Sequence, residues 1–297
     1  MFEVPAGSNA RALGSKLTEA GLIGDENAWR YYLKSRDAGA CLKAGRFELS
    51  PSMNMPLLME TMCGAPMADE EPFTVVEGWR IRDIDGALAR AGHIEAGAYE
   101  AAVSSPQDFQ LGLPVTELST LEGFLMPETY MVPSEGFAVD AFVQRQLDTF
   151  TERFQGIGGV DKLGERALYE VVIVASMLER EEPRPSNRPI VAGIIWKRLD
   201  SGWQLGIDAT SRYTIENWND RKAFLKQLRD PDDPYNTRER KGLPPTPIGN
   251  PSLPSLEAAL APQATEDWYY LHDGEGNLHP SRNAAEHEAK RAKYGVY

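Results

Sequence analysis

An alternating Phe-x-Val start is followed by a turn glycine and then by apolar residues three to four apart. This pattern occurs twice. Phe2–Ile23 aligns with Phe73–Ile94 without gaps, at a constant offset of 71 residues, with Phe, Val, Gly, Arg, Leu, Ala, Gly and Ile identical in both copies. Alternation predicts a short strand, and Leu13, Leu17 and Ala20, like Ile84, Leu88 and Ala91, predict a helix face. Gly21 and Gly92 fall where a helix ends. Each copy therefore reads as strand, turn, helix. Two copies fit a duplicated small module rather than a solenoid. Between them, Lys43–Phe47 predicts a turn into a strand and Ser52–Met62 a helix. Met53, Met55, Met59 and Met62 read as core filler rather than as a ligand set.

Further along, Val139, Phe142, Val143, Leu147, Phe150 and Phe154 mark one face of an amphipathic helix over Phe137–Phe154. Ala167–Glu181 is apolar nearly all round and predicts a buried helix, with another over Asn187–Leu199. From Arg229 to Pro254 helical periods give way to prolines, which predicts a long functional loop. A short helix at Ser255–Leu260, a strand at Trp268–Leu271 with an Asp-Gly turn, and a charged helix from Asn283 complete the pattern. The architecture expected is α+β. Residues 1–118 would form the duplicated strand–helix module, and 119–297 a mixed α/β domain.

Composition narrows the function. The chain has 297 residues, 31 basic against 44 acidic, and a net charge of −13. No basic run offers a phosphate-tracking surface, so nucleic acid is excluded as a partner. Six Trp, eleven Tyr and ten Phe supply core material that a disordered chain lacks. The longest near-continuous apolar run, Val171–Leu178, is far short of the roughly 20 residues that span a bilayer. The N-terminal stretch has neither the basic nor the apolar region of a signal peptide. Cys41 and Cys63 are compatible with one bridge or with two thiols.

Candidate chemistry is sparse. The glycine-rich segment 156–164 fails as a dinucleotide loop, because Asp161 stands at the third glycine position and a helix precedes it. His272, His279 and His287 lack the spacing of a zinc site and read as hydrogen-bonding residues, so neither a metal nor a cofactor is expected. Nothing marks a serine nucleophile. The apolar helix, however, runs into Glu179, Glu181 and Glu182. A carboxyl held against an apolar face has its charged form disfavoured and can serve as a general acid near neutral pH. Periodicity does not choose between Glu179 and Glu181, and the plain alternative is that all three are solvated helix-end charges. Two other segments, 121–130 and 234–248, are dense in polar and aromatic residues. They read either as tight loops or as a cleft lined for a sugar polymer.

These segments taken together resemble a family. LEGFLMPETY, VASMLEREE, Asp208-Ala209-Thr210, PYNTRERKGLPPTPIGNPSLPSLEAAL and the late Ser281 with Glu286-His287 are similar, in order, to the endolytic murein transglycosylases of the YceG-like family. KAGRF and VVEGWRIRD resemble that family's LysM-like region. The resemblance implies a LysM-like glycan-positioning module in residues 1–118 and a catalytic domain in 119–297. It implies internal cleavage of peptidoglycan glycan strands without water, leaving a 1,6-anhydromuramic end. One carboxyl first protonates the glycosidic oxygen and then, as carboxylate, takes the proton of the muramyl C6 hydroxyl. By motif position, the resemblance assigns that role to Glu179. Glu122, Glu128, Tyr130, Glu181, Asp208, Thr210, Tyr235 and Asn236 are expected to line the cleft or hold the acid.

Trp203 and Trp218 read as core residues, with sugar stacking as the alternative. The chain departs from the family pattern at Gly206 (usually Gln), Pro280 (usually Phe), Glu288 (usually Asn) and Lys197 (usually Asn). A peptidoglycan-binding scaffold without activity, or a hydrolytic muramidase, are the rival readings. Implied surroundings are the extracytoplasmic face of the bacterial inner membrane, an anchor outside this sequence, and cell-wall synthases as partners.

Overall fold

The computed structural model describes residues 1–36, 38–67, 69–115 and 118–296. It divides into two compact units, one of residues 1–71 and 132–136, the other of 72–131 and 137–297. The two repeat copies thus fall in different units. Residue 118, where the sequence places a boundary, lies inside the second unit next to residues outside the described set.

In the first unit, Phe2–Val4 pairs antiparallel with Gly45–Phe47, with Phe2 opposite Phe47. Helices at Ala10–Glu19, Glu26–Ser35 and Met55–Cys63 are started by Asn9, Asp25 and Asn54, whose side chains accept from first-turn N–H groups. Their apolar faces meet in one core of Val4, Leu13, Leu17, Trp29, Leu33, Phe47, Leu58 and Met62. Met53, Met55 and Met59 pack against it, as core filler should. Cys41 and Cys63 form a disulfide, so the two cysteines are not free thiols.

The second repeat copy has the same local form. Its strand, Glu70–Thr74, pairs with Thr129–Pro133, and its helix covers Ile81–Ala91. Gly92 ends that helix in the left-handed conformation, φ +82°, as Gly21 does after the first copy at φ +71°. Phe73, Tyr99, Tyr130 and Phe137 meet Phe142 edge-on or tilted in this part of the second unit.

The central element of the second unit is the helix Leu168–Glu181, whose residues 171–178 are all buried. Helices Arg188–Asp200 and Leu253–Leu260 pack against it, as does the short helix Asp208–Arg212, while the longer Val139–Gly156 packs against Leu253–Leu260. Arg188–Asp200 also holds the following chain. Gly193 lies so close to Gln263 that a Cβ would meet its carbonyl oxygen at 2.0 Å. Trp196 donates to Ala259 O, Lys197 to Thr265 O and Arg198 to Trp268 O. The Pro-rich stretch between Gln227 and Leu253 contains no helix or strand element and is tied by turns, and Asn250 anchors its end. That buried amide accepts from Gly123 and Leu125 N–H and donates to Trp79 O and Glu122. A hairpin, Tyr269–His272 with Leu278–Ser281, and the helix Ala284–Tyr294 close the chain. Among the described residues, no helix is long and apolar enough to cross a membrane.

Candidate active site

The end of the central helix sends its two candidate acids in different directions. Positions 179 and 181 are about 200° apart around a helix of 3.6 residues per turn. Glu179 turns into the packed interior. Its side chain is 6% exposed and forms a bidentate pair with Arg188, at 3.0 and 3.1 Å. It also accepts from Ser252 N at 2.9 Å, Ser255 Oγ at 2.9 Å and the Ser252 hydroxyl. Five hydrogen bonds converge on this carboxylate, which thereby ties the helix to residues 252–255 and to the next helix. Glu179, to which the motif resemblance assigns the proton transfer, is not among the residues that line the cleft at this helix end.

Glu181 turns the other way, into a cleft of about 650 Å3 that it lines with Asp208, Gly206, Arg238, Tyr270 and His287 among others. Its carboxylate accepts weakly from Ala209 N at 3.4 Å and from the Tyr270 hydroxyl at 3.2 Å. Withdrawal from water and the like charge of Asp208 raise its pKa above the usual carboxylate range. Asp208 sits at the start of a short helix and pairs with Arg238 at 2.5 Å. Glu182, the third helix-end acid, is fully buried and engaged by Arg184 N, Asn187 and His272. The plain reading of three solvated end charges is therefore set aside.

The remaining expected residues do not gather at this cleft. Glu122 is buried elsewhere in the second unit, where it accepts from Ile81 N, Tyr213 and Asn250. Burial lifts its pKa to about 7. Tyr235 packs on Tyr213 and shares a hydrogen bond with Thr246. Thr210 and Asn236 are buried and bond to backbone carbonyls, Thr210 to Ile207 O and Asn236 to Leu228 O and Asp230 O; they shape the loops beside Asp208. Tyr130 is buried and donates to Met126 O. Glu128 is half-exposed and pairs with Arg153.

The cleft also contains residues the sequence did not single out. Tyr270 and Arg238 contact the two carboxylates directly, and Arg198 and Tyr269 form part of the wall. Tyr270 sits in the strand expected over Trp268–Leu271, and Arg238 lies in the Pro-rich segment, where nothing in the local pattern marks either side chain for a cleft. Trp203, read as a core residue, is 41% exposed and lines the cleft. Trp218 lies apart, covered by the Arg180 and Arg80 guanidinium groups. Among the described residues, no group of three His, Cys, Asp or Glu is placed to hold a metal ion.

A model of the YceG-like family matches residues 2–293. The chain belongs to the YceG-like family. It is 26% identical over 308 residues to an endolytic murein transglycosylase of Bacillus subtilis, covering 99% of this chain and 84% of that protein. A protein of the same name from Streptococcus pneumoniae is 24% identical over 318 residues. There the match covers 98% of this chain, which spans only 57% of that longer relative. The fold is shared with the crystal structure of a YceG-like protein from Listeria monocytogenes, with a TM-score of 0.64, 23% identity and 97% of each chain covered. This family member thus carries the mixed helical and small-sheet architecture throughout.

Proposed function

We propose that this YceG-like protein is an endolytic murein transglycosylase, a lyase that cuts peptidoglycan glycan strands internally, with Glu181 as its acid and base. The names of its relatives support the activity class. The observation that carries the residue assignment is the placement of Glu181. It is the helix-end carboxyl that faces an open cleft, is held by few donors, and has its proton affinity raised by burial and by Asp208.

A protonated Glu181 can give its proton to the glycosidic oxygen as the bond to muramyl C1 breaks. The resulting carboxylate then accepts the C6 hydroxyl proton while O6 bonds to C1. Glu181 ends protonated again, and no water is consumed. Tyr270 and the Ala209 N–H hold the carboxylate in place between the two transfers. Glu179 supports the reaction indirectly, by fixing the helix end through Arg188.

Asp208 in the same cleft favours a second reading, hydrolysis with water activated by that carboxylate. Mass spectrometry of muropeptides released from sacculi separates the two, because an anhydro end lacks one water. We expect anhydro products from the unaltered protein and none from Glu181→Gln. Undiminished release by that variant would remove the assignment. The Cys41–Cys63 bridge supports work outside the cytoplasm, where disulfides persist. The first unit would position glycan, in keeping with the LysM-like resemblance.

A further inference from the structure

One side of the Glu181 cleft is aromatic, and the acid–base chemistry makes no use of it. Trp203 stands 41% exposed at this wall, unusual for so large an apolar ring. Its ring does not float. Trp268 lies behind it at 4.5 Å between centroids, tilted by 38°, and Tyr269 meets it edge-on at 5.9 Å. Tyr269 in turn stacks on His287 at 5.1 Å. Lys197 Nζ sits 4.3 Å over Trp268, and the Arg198 guanidinium 5.6 Å from Tyr269. The wall is therefore fixed before any ligand arrives, which lowers the entropic cost of binding there.

The space in front of it is open. Gly206 lines the same cleft in the left-handed conformation, φ +65°, and a Cβ there would meet nothing nearer than Arg198 at 3.8 Å. Gly206 and Lys197 are two positions where the chain departs from the family pattern. Both act at this wall, one by leaving room and the other by bracing a ring.

The chemistry of the wall selects its ligand. Its rings already carry Lys197 and Arg198, so a further cation is disfavoured. Polar groups of Gln204, Asp208 and Arg238 share the cleft, so a wholly apolar ligand is disfavoured too. A pyranose has an apolar C–H face and a polar rim, and suits a ring flanked by hydrogen-bonding groups. We propose that Trp203, backed by Trp268 and Tyr269, is a stacking platform for an N-acetylhexosamine ring of the glycan strand, holding it beside Glu181. The inference rests on the murein-strand reading of this cleft and adds a substrate-binding residue to it.

The test uses the full chain carrying Glu181→Gln, titrated calorimetrically with soluble, uncrosslinked murein glycan strands. Adding Trp203→Ala should weaken binding roughly tenfold, the scale of a lost aromatic contact, while Trp203→Phe keeps most of the affinity. In the active protein, Trp203→Ala should raise KM for the strands and change kcat little, because the contact serves ground and transition states alike. Equal affinity of the Ala variant, or a Phe variant as weak as the Ala variant, overturns the platform. Failure of the acid–base assignment has another signature, anhydro product released by Glu181→Gln itself, and leaves the comparison of the Ala and Phe variants readable.

Discussion

Two carboxylates two residues apart illustrate what a side chain's surroundings decide. Glu179 is paired with a buried guanidinium, so its loss leaves Arg188 inside the protein without its counter-charge, held only by the Glu182 carbonyl and the Ser252 hydroxyl. Glu179→Ala should therefore cost about 3–5 kcal/mol of stability, the range for breaking a buried ion pair, and chemical denaturation measures it. Glu181 should show its effect in the rate instead. A general acid must be protonated, so kcat is expected to fall as pH rises through the raised pKa of Glu181. Asp208→Asn removes the like charge that helps to raise that pKa, and the alkaline limb of the pH–rate profile should move to lower pH. An unmoved limb would show that Asp208 does not tune the acid.

Glu122 gives a separate test. Its pKa rises on folding from 4.5 to about 7, so the folded state binds its proton more tightly than the unfolded chain. The stability this contributes is complete below about pH 4.5 and is lost as pH rises to and through about 7, amounting to about 3 kcal/mol. Urea midpoints of Glu122→Gln should lack that decline. The sequence made the group of acids legible but not their division of labour. Helical spacing separates the faces of positions 179 and 181, yet only the packing of residues 252–255 and 208–209 reveals which face meets the cleft.

Among the elements, those with strong periodicity were readable. The buried run over residues 171–178 and the amphipathic face over 139–154 lie in helices Leu168–Glu181 and Val139–Gly156. The helix Glu26–Ser35 carries only Trp29 and Leu33 as buried residues, too few to stand out from its polar neighbours. The strands Thr129–Pro133 and Leu278–Ser281 each contain proline and owe their form to pairing with a partner strand. The Arg188–Asp200 helix shows how tightly elements can be coupled. Gly193→Ala would drive a methyl group into the Gln263 carbonyl. We expect a loss of about 1–3 kcal/mol, as for other overpacked interiors. The displaced residues 263–268 also carry Trp268, so strand binding should weaken with the melting temperature. Calorimetry reads both.

For the whole molecule, the duplicated pattern was legible and its fate was not. Two copies of one strand–helix pattern contribute to different compact units, and each strand is completed by a different partner, Gly45–Phe47 in one case and Thr129–Pro133 in the other. Cysteine spacing left bridge and thiols equally open; the packing of the first unit closes the bridge across 22 residues. A loop of that size is worth about 3 kcal/mol on the chain-entropy account. Reduction, or Cys41→Ser, should lower the stability of the first unit by about that amount. The Glu181 cleft is built wholly from the second unit, and its response to glycan strands in the calorimeter should persist.

The first unit is discontinuous in sequence, since residues 132–136 belong to it although they lie far beyond residue 71. Anyone wishing to work with a shortened enzyme meets a topological obstacle there. A chain started at residue 72 keeps the returning segment but discards its partners, among them Asp69, whose carbonyl accepts from Ser134. Exposed backbone donors of that kind recruit neighbouring molecules. A shortened enzyme would need the returning segment redesigned as a plain turn, whereas the intact chain satisfies it at no extra cost.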